Sequence, residues 1–136
     1  QVMTPLSEMV SIPLNMPFPQ LLALVKRERR SRIPVYKGRS NHIVGILLTK
    51  DLLRFKDRNP PGSRQLQRLL QAPYYVPDTK TADDLLQEFQ RYRTHIAIVV
   101  NEHGALGGVV TLDDLLEELV GDMGLEEEER TGEASE

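Results

Sequence analysis

The sequence predicts an α+β fold made twice from one plan. Three observations carry that expectation. Residues 95–116, HIAIVVNEHGALGGVVTLDDLL, read as strand, turn, strand and helix start. Residues 31–53 follow the same order. Gly45 and Asp51 stand 63 positions before Gly108 and Asp114, the fixed spacing that marks an internal repeat.

The first copy begins with Val2-Met3-Thr4-Pro5, where Pro5 forbids a regular helix, and a short strand is expected over Met9–Ile12. Pro13, Pro17 and Pro19 punctuate a loop, and Pro19 fits the first turn of a helix running to Arg30. Leu21, Leu22, Leu24 and Val25 form its apolar face. Lys26 to Arg32 holds five positive charges in seven positions. Cations at a helix C-terminus are favourable, but Arg32 lies past the helix, at the mouth of the next strand. Ser31–Tyr36 is that strand, Lys37–Asn41 a turn, Ile43–Leu48 a second strand, and Lys50-Asp51-Leu52-Leu53 a helix start.

Pro60-Pro61-Gly62 marks a linker. Leu66, Leu69 and Leu70 give a short helix that opens the second copy. Pro73–Pro77 mirrors the earlier strand, with Pro77 matching Pro13. Thr81 caps a helix whose core face is Ala82, Leu85, Leu86 and Phe89, an i, i+3, i+4, i+7 set. Ile96–Val100 is β-branched and apolar throughout, as suits a strand buried on both faces. Asn101–Gly104 is a turn, and Leu106–Val110 is the returning strand. Thr111 and Asp114 precede Leu115, Leu116, Leu119 and Val120 in the pattern of a capped helix. The first repeat is thus placed over 1–58, a linker over 59–65, the second repeat over 66–121, and an acidic tail over 122–136.

Hydrophobic residues make up 40% of the 136, with three Phe, four Tyr and no Trp, so packing must rest on Leu, Ile and Val. Absence of Cys excludes disulfides and thiolate metal sites within the chain and fits a cytosolic setting. No apolar run reaches the length of a membrane helix, and no signal peptide is visible. The chain starts at Gln1 without a Met and reads as a piece of a longer protein. Seven acids against one Arg give residues 122–136 a net −6, which leaves +3 on residues 1–121. That tail is read as disordered or a linker.

The doubled order of strand, turn, strand with Gly, then Asp opening a helix resembles a tandem pair of CBS (cystathionine β-synthase-type) domains. Val2-Met3-Thr4-Pro5, Ser31–Tyr36, Lys50–Leu53, His95–Val99 and Val109–Leu115 resemble the CorC/HlyC group of magnesium and cobalt transporter-associated proteins, with its cyclin M-type branch. The resemblance implies two β-α-β-β-α repeats packed sheet to sheet with pseudo-twofold symmetry, a Bateman-type module. It implies homodimers formed through the CBS helices, with Leu-rich segments at 52–53 and 115–120 available for contact. It also implies a cytoplasmic domain with adjacent membrane or C-terminal domains in the parent protein.

Read from the pattern, Thr111 and Asp114 form a capping box. In CBS proteins the matching Thr and Asp commonly hold the phosphate and ribose of an adenine nucleotide, and the two readings are compatible. Asp51 is the equivalent acid, but Leu48 stands where Thr111 stands, so one full site and one degenerate site are expected. In the cyclin M-type branch the Arg matching Arg32, beside Ile33-Pro34, meets nucleotide phosphates across the cleft between repeats. A guanidinium suits phosphate oxygens. Ile33, Tyr75 and Val76 are expected either as adenine walls or as core residues, and His95 at a strand mouth as a phosphate contact. The ligand class is AMP, ADP or ATP, with Mg²⁺ held through the phosphates. His42, His95 and His103 are too scattered for a metal site. No nucleophile–base pair, P-loop or dinucleotide motif appears, so no enzyme is expected. Without aromatic residues between the cations of 26–32, no nucleic-acid partner is expected either. The competing reading is a purely structural dimerisation module without ligand.

Overall fold

In this computed structural model of the chain, the described residues are 4–5, 9–39, 42–55 and 60–122. Of the tail expected over 122–136, Asp122 is instead the last residue of a helix, and residues 123–136, with the Val2-Met3 part of the opening motif, lie outside the described residues. Two short strands open the order, β1 (Thr4–Pro5) and β2 (Ile12–Pro13). Then come α1 (Phe18–Glu28), β3 (Arg32–Tyr36), β4 (Ile43–Leu48) and a 3₁₀ helix (Thr49–Arg54). The order continues with α2 (Ser63–Leu69), β5 (Tyr75–Pro77), α3 (Ala82–Tyr92), β6 (Ile96–Val100), β7 (Leu106–Thr111) and α4 (Leu112–Asp122).

Two compact units result. One comprises residues 8–73. Its sheet has the order β2-β3-β4, with β2 parallel to β3 and β3 antiparallel to β4. Ile12, Phe18, Leu21, Ile33, Val35, Leu47 and Leu66 make its helix-facing core. The Gln71 and Ile46 backbones exchange two hydrogen bonds of 2.9 Å, and Gly45 has no side chain to hold Leu70 and Gln71 away. The other unit runs from Tyr74 onward and takes in β1. Its sheet has the order β1-β7-β6-β5, and Val76, Leu85, Phe89, Ala97, Val99, Val110 and Leu115 make its core. Compactness in space therefore follows a different division from similarity in sequence: α2 lies with the first repeat's strands, and β1 with the second's.

The repeats match closely, with one slip. β2, α1 and β3 correspond to β5, α3 and β6 at an offset of 64, whereas β4 corresponds to β7 at 63. The cause is the turn: residues 37–42 join β3 to β4, one residue more than 101–105 between β6 and β7. Both hairpins carry a bulge just before the turn, after Val35 and after Val99. In the shorter turn Asn101 Oδ1 accepts from the N–H groups of His103 and Ala105, each at 2.9 Å, and Gly104 takes φ 78°.

Three element expectations change. The strand expected over Met9–Ile12 is the two-residue Ile12–Pro13; the same register would set Ser11 against Pro34, which has no N–H to offer a ladder. The helix expected to reach Arg30 stops at Glu28, where Arg29 turns left-handed. The helix expected from Lys50 is a six-residue 3₁₀ turn.

Candidate functional site

The second unit builds a corner where β7 meets α4. Thr111, the last residue of β7, pairs with Ile96. The Asp114 N–H donates to Thr111 Oγ1 at 3.1 Å, which satisfies one of the open donors of the helix's first turn. The Leu112 N–H donates to the His95 carbonyl at 2.8 Å, so His95 is tied to the same corner. Thr111 and Asp114 are half-buried, and His95 is exposed. With Asp113 and Asp114 in the first turn, α4 presents acids to its positive dipole end.

Strand alternation sorts the remaining residues. β5 runs parallel to β6, with Tyr75 opposite Ile98 and Val76 opposite Val99. Val76, Ala97, Val99 and Val110 belong to the helix-facing core. Tyr75, Ile96, Ile98 and Thr111 therefore alternate to the opposite face. Tyr75 is 48% exposed there, while Val76 is 3% exposed. Tyr75 thus shares a sheet face with Thr111, and the Val76 side chain is spent on packing.

In the first unit Arg32 pairs with Leu48. Ile33 is fully buried in the core, Pro34 is buried on the alternate face, and Arg32 is half-buried beside it. Leu48 corresponds to Thr111 but offers no hydroxyl, and no side chain caps the 3₁₀ helix. The neighbouring Thr49 hydroxyl instead donates to the carbonyls of Arg30 (3.1 Å) and Ser31 (3.3 Å). Asp51 sits 3.9 Å from the Arg54 guanidinium. The acid is thus present in both repeats and the hydroxyl at its required place in one. Among the described residues no group of three or more His, Asp or Glu could hold a metal ion, and no helix is long and apolar enough to cross a membrane.

Sequence reasoning missed one polar network. Glu88 on α3 accepts from the Tyr74 hydroxyl and pairs with Lys80, and the Tyr74 and Tyr92 rings lie 5.6 Å apart. Burial, then the Glu88 hydrogen bond, pushes Tyr74 up to about 12. The Lys80 and Tyr74 hydrogen bonds hold Glu88 below its ordinary value, and Glu88 in turn raises Lys80. These partners meet only where the residues flanking β5 come against α3, so no sequence spacing announces them.

A family model, "CBS domain", matches residues 1–58 and 68–121. A solved CBS domain of the bacterial CNNM/CorC family Mg²⁺ transporter, in complex with ATP, is 42% identical with a TM-score of 0.81, covering 88% of this chain and 84% of that one. The chain is a tandem CBS pair of the CNNM/CorC family. Another CBS-domain pair, from Klebsiella pneumoniae with bound AMP, is 26% identical with a TM-score of 0.76, covering 88% of this chain and 94% of that one. The magnesium and cobalt efflux protein CorC of Vibrio cholerae is 40% identical over 122 residues, 90% of this CBS pair and 42% of the relative. Hemolysin C of Brachyspira hyodysenteriae is 36% identical over 123 residues, 90% of the pair and 44% of the relative. The CBS pair thus spans less than half the length of these curated relatives.

Proposed function

We propose that this CBS pair is a regulatory adenine-nucleotide-binding module of a larger protein that handles magnesium or cobalt. The observation that carries the reading is the Thr111–Asp114 corner, capped at 3.1 Å and sharing a sheet face with the exposed ring of Tyr75. Its support from relatives is the 42% identity to a CBS domain in complex with ATP.

Each group has a chemical role in this reading. Thr111 Oγ1 already accepts from Asp114, so its own proton remains to donate to a phosphate oxygen. The first-turn N–H groups of α4 and the helix dipole favour the same anion. The Asp114 carboxylate accepts from the ribose hydroxyls. The Tyr75 ring packs on adenine, with main-chain groups of Val76 beside it, and His95 flanks the phosphates. Arg32, held by the Ile33-Pro34 strand, supplies a phosphate-binding cation. Asp51 marks a weaker second site, because Leu48 replaces the hydroxyl. Mg²⁺ enters with the phosphates rather than in a protein cage. The module acts as a homodimer through its helices, where Leu53, Leu116 and Val120 are exposed, on the cytoplasmic side of its parent, without catalysis.

Calorimetric titration with AMP, ADP and ATP, each with and without Mg²⁺, tests this. Asp114→Ala should weaken binding at least tenfold, since it removes hydrogen bonds to a charged acceptor worth roughly 1.5–3 kcal/mol each. Asp51→Ala should cost much less. Equal losses from the two would overturn the single-site reading. An absence of binding by the unmutated chain would leave the structural dimerisation module in its place.

A further inference from the structure

Charge is divided between the two units far more sharply than the net −3 of the chain conveys. Residues 8–73 carry 13 Lys and Arg against four acids, a net +9, and the remaining residues carry −12. The basic unit also holds a cavity of about 430 Å³, within the size range of small-ligand sites. It lies where the end of β2, the turn after β3 and the first turns of α2 meet, lined by Asn15, Lys37, Gly38, Arg64 and Gln67 among others. Arg64 and Gln67 are three apart on α2 and so share a helix face. Gly38 holds φ 76°, and a Cβ there would meet nothing within 4 Å, which leaves the mouth open.

Two cations and no acid line this cavity. Among the described residues neither Lys37 nor Arg64 pairs with a carboxylate. Two like charges turned to one concavity repel, and a bound anion removes that cost. Arg offers a planar fork to oxyanions and Lys a point charge, while Asn15 and Gln67 add neutral donors. We infer that this cavity is a second anion site, one that takes a phosphate-bearing small molecule on Lys37 and Arg64. It is separate from Arg32: β3 runs from Arg32 to Tyr36, which sets Lys37 about 16 Å away along the strand.

The test is a titration of the full 136-residue chain with inorganic pyrophosphate at constant ionic strength, followed by amide chemical shifts. Saturable shifts at Gly38 and Arg64 are expected, with adenosine causing none there. Lys37→Ala and Arg64→Ala should each weaken the pyrophosphate response at least tenfold. Both residues are exposed, so the fold should stay intact, and Lys37→Arg should retain binding. Asp114→Ala should leave the response unchanged, which separates this site from the proposed nucleotide corner. No saturable shift at Gly38 and Arg64, or a response that survives loss of both cations or is matched by chloride, would overturn the inference.

Discussion

Arg29 and Arg93 close α1 and α3 with the same left-handed backbone, φ 52° at each. Each N–H donates back into its helix, Arg29 to Val25 and Arg93 to Phe89. An L-residue with a Cβ is disfavoured there by about 1–2 kcal/mol, and glycine is not. Arg29→Gly and Arg93→Gly should each raise stability, by up to about 1 kcal/mol once the greater freedom of unfolded glycine is deducted. Urea denaturation measures this. Arg93→Val should go the other way, and a stabilising valine would contradict the left-handed cap.

Gly45→Ala should destabilise the first unit. An added Cβ would lie 2.6 Å from Leu70 Cβ and 3.1 Å from the Gln71 carbonyl oxygen. Overpacking of this kind costs about 1–3 kcal/mol. Gly62→Ala, where a Cβ meets nothing within 4 Å, serves as control and should shift the melting temperature little. Equal effects from the two would mean that the Leu70 contact is not tight.

Thr81 and Thr111 do the same local job and should part company on ligand. Each hydroxyl accepts from the N–H three residues on, at 3.2 Å and 3.1 Å. Thr81→Ala and Thr111→Ala should each cost about 1 kcal/mol of stability. Nucleotide affinity, read by calorimetry, should fall only for Thr111→Ala. A matching fall for Thr81→Ala would make the affinity change a by-product of helix fraying.

The Tyr74–Glu88–Lys80 network predicts a stability that declines at both ends of the pH scale. Glu88 is depressed in the fold, so its contribution is present above the ordinary 4.5 and is lost as pH falls through its lower folded value. Tyr74 and Lys80 are raised, so theirs are present below 10.0 and 10.5 and are lost as pH rises through the higher folded values, about 12 for Tyr74. Thermal melts from acid to alkaline pH should show both edges. Glu88→Gln should remove the acid edge and only reduce the alkaline one, since burial is the larger cause of the Tyr74 shift; an unchanged acid edge in that variant would place the pH dependence elsewhere.

Much of this molecule was legible in its residues. The β-branched runs and the Pro and Gly punctuation marked strands and helices in both copies, and threonine caps marked α3 and α4 of the second alone. The Thr111–Asp114 corner was legible because a cap is a local device, and the Thr111 half of it is bonded, with Oγ1 accepting from the Asp114 N–H. Leu48 stands where Thr111 stands, and the helix that follows it is a six-residue 3₁₀ turn with no side-chain cap. What stayed hidden depends on distant partners. Pro13 with Pro77 and Gly45 with Gly108 already carry offsets of 64 and 63, but the bulges after Val35 and Val99 require strand registers. The residue pattern leaves Tyr75 and Val76 open between adenine wall and core, and strand alternation divides them, with Val76 in the core and Tyr75 on the opposite face. Glu88 carries no signal in the sequence, because Tyr74 and Lys80 reach it only in the folded unit.

The pairing of Thr4 with Val109 and of Pro5 with Gly108 has a kinetic consequence. Residues 8–73 form their unit from neighbours in sequence, so this part can fold while the chain is still being made. The other unit cannot close its sheet until β7 has been synthesised, because its edge partner, β1, lies on the far side of residues 8–73. Loop closure over that separation is slow compared with local hairpins. During the interval the β7 edge is bare, and an unpaired edge strand recruits other chains. Aggregation during synthesis should therefore begin at residues 108–109, and any fragment that omits Thr4–Pro5 inherits that hazard permanently.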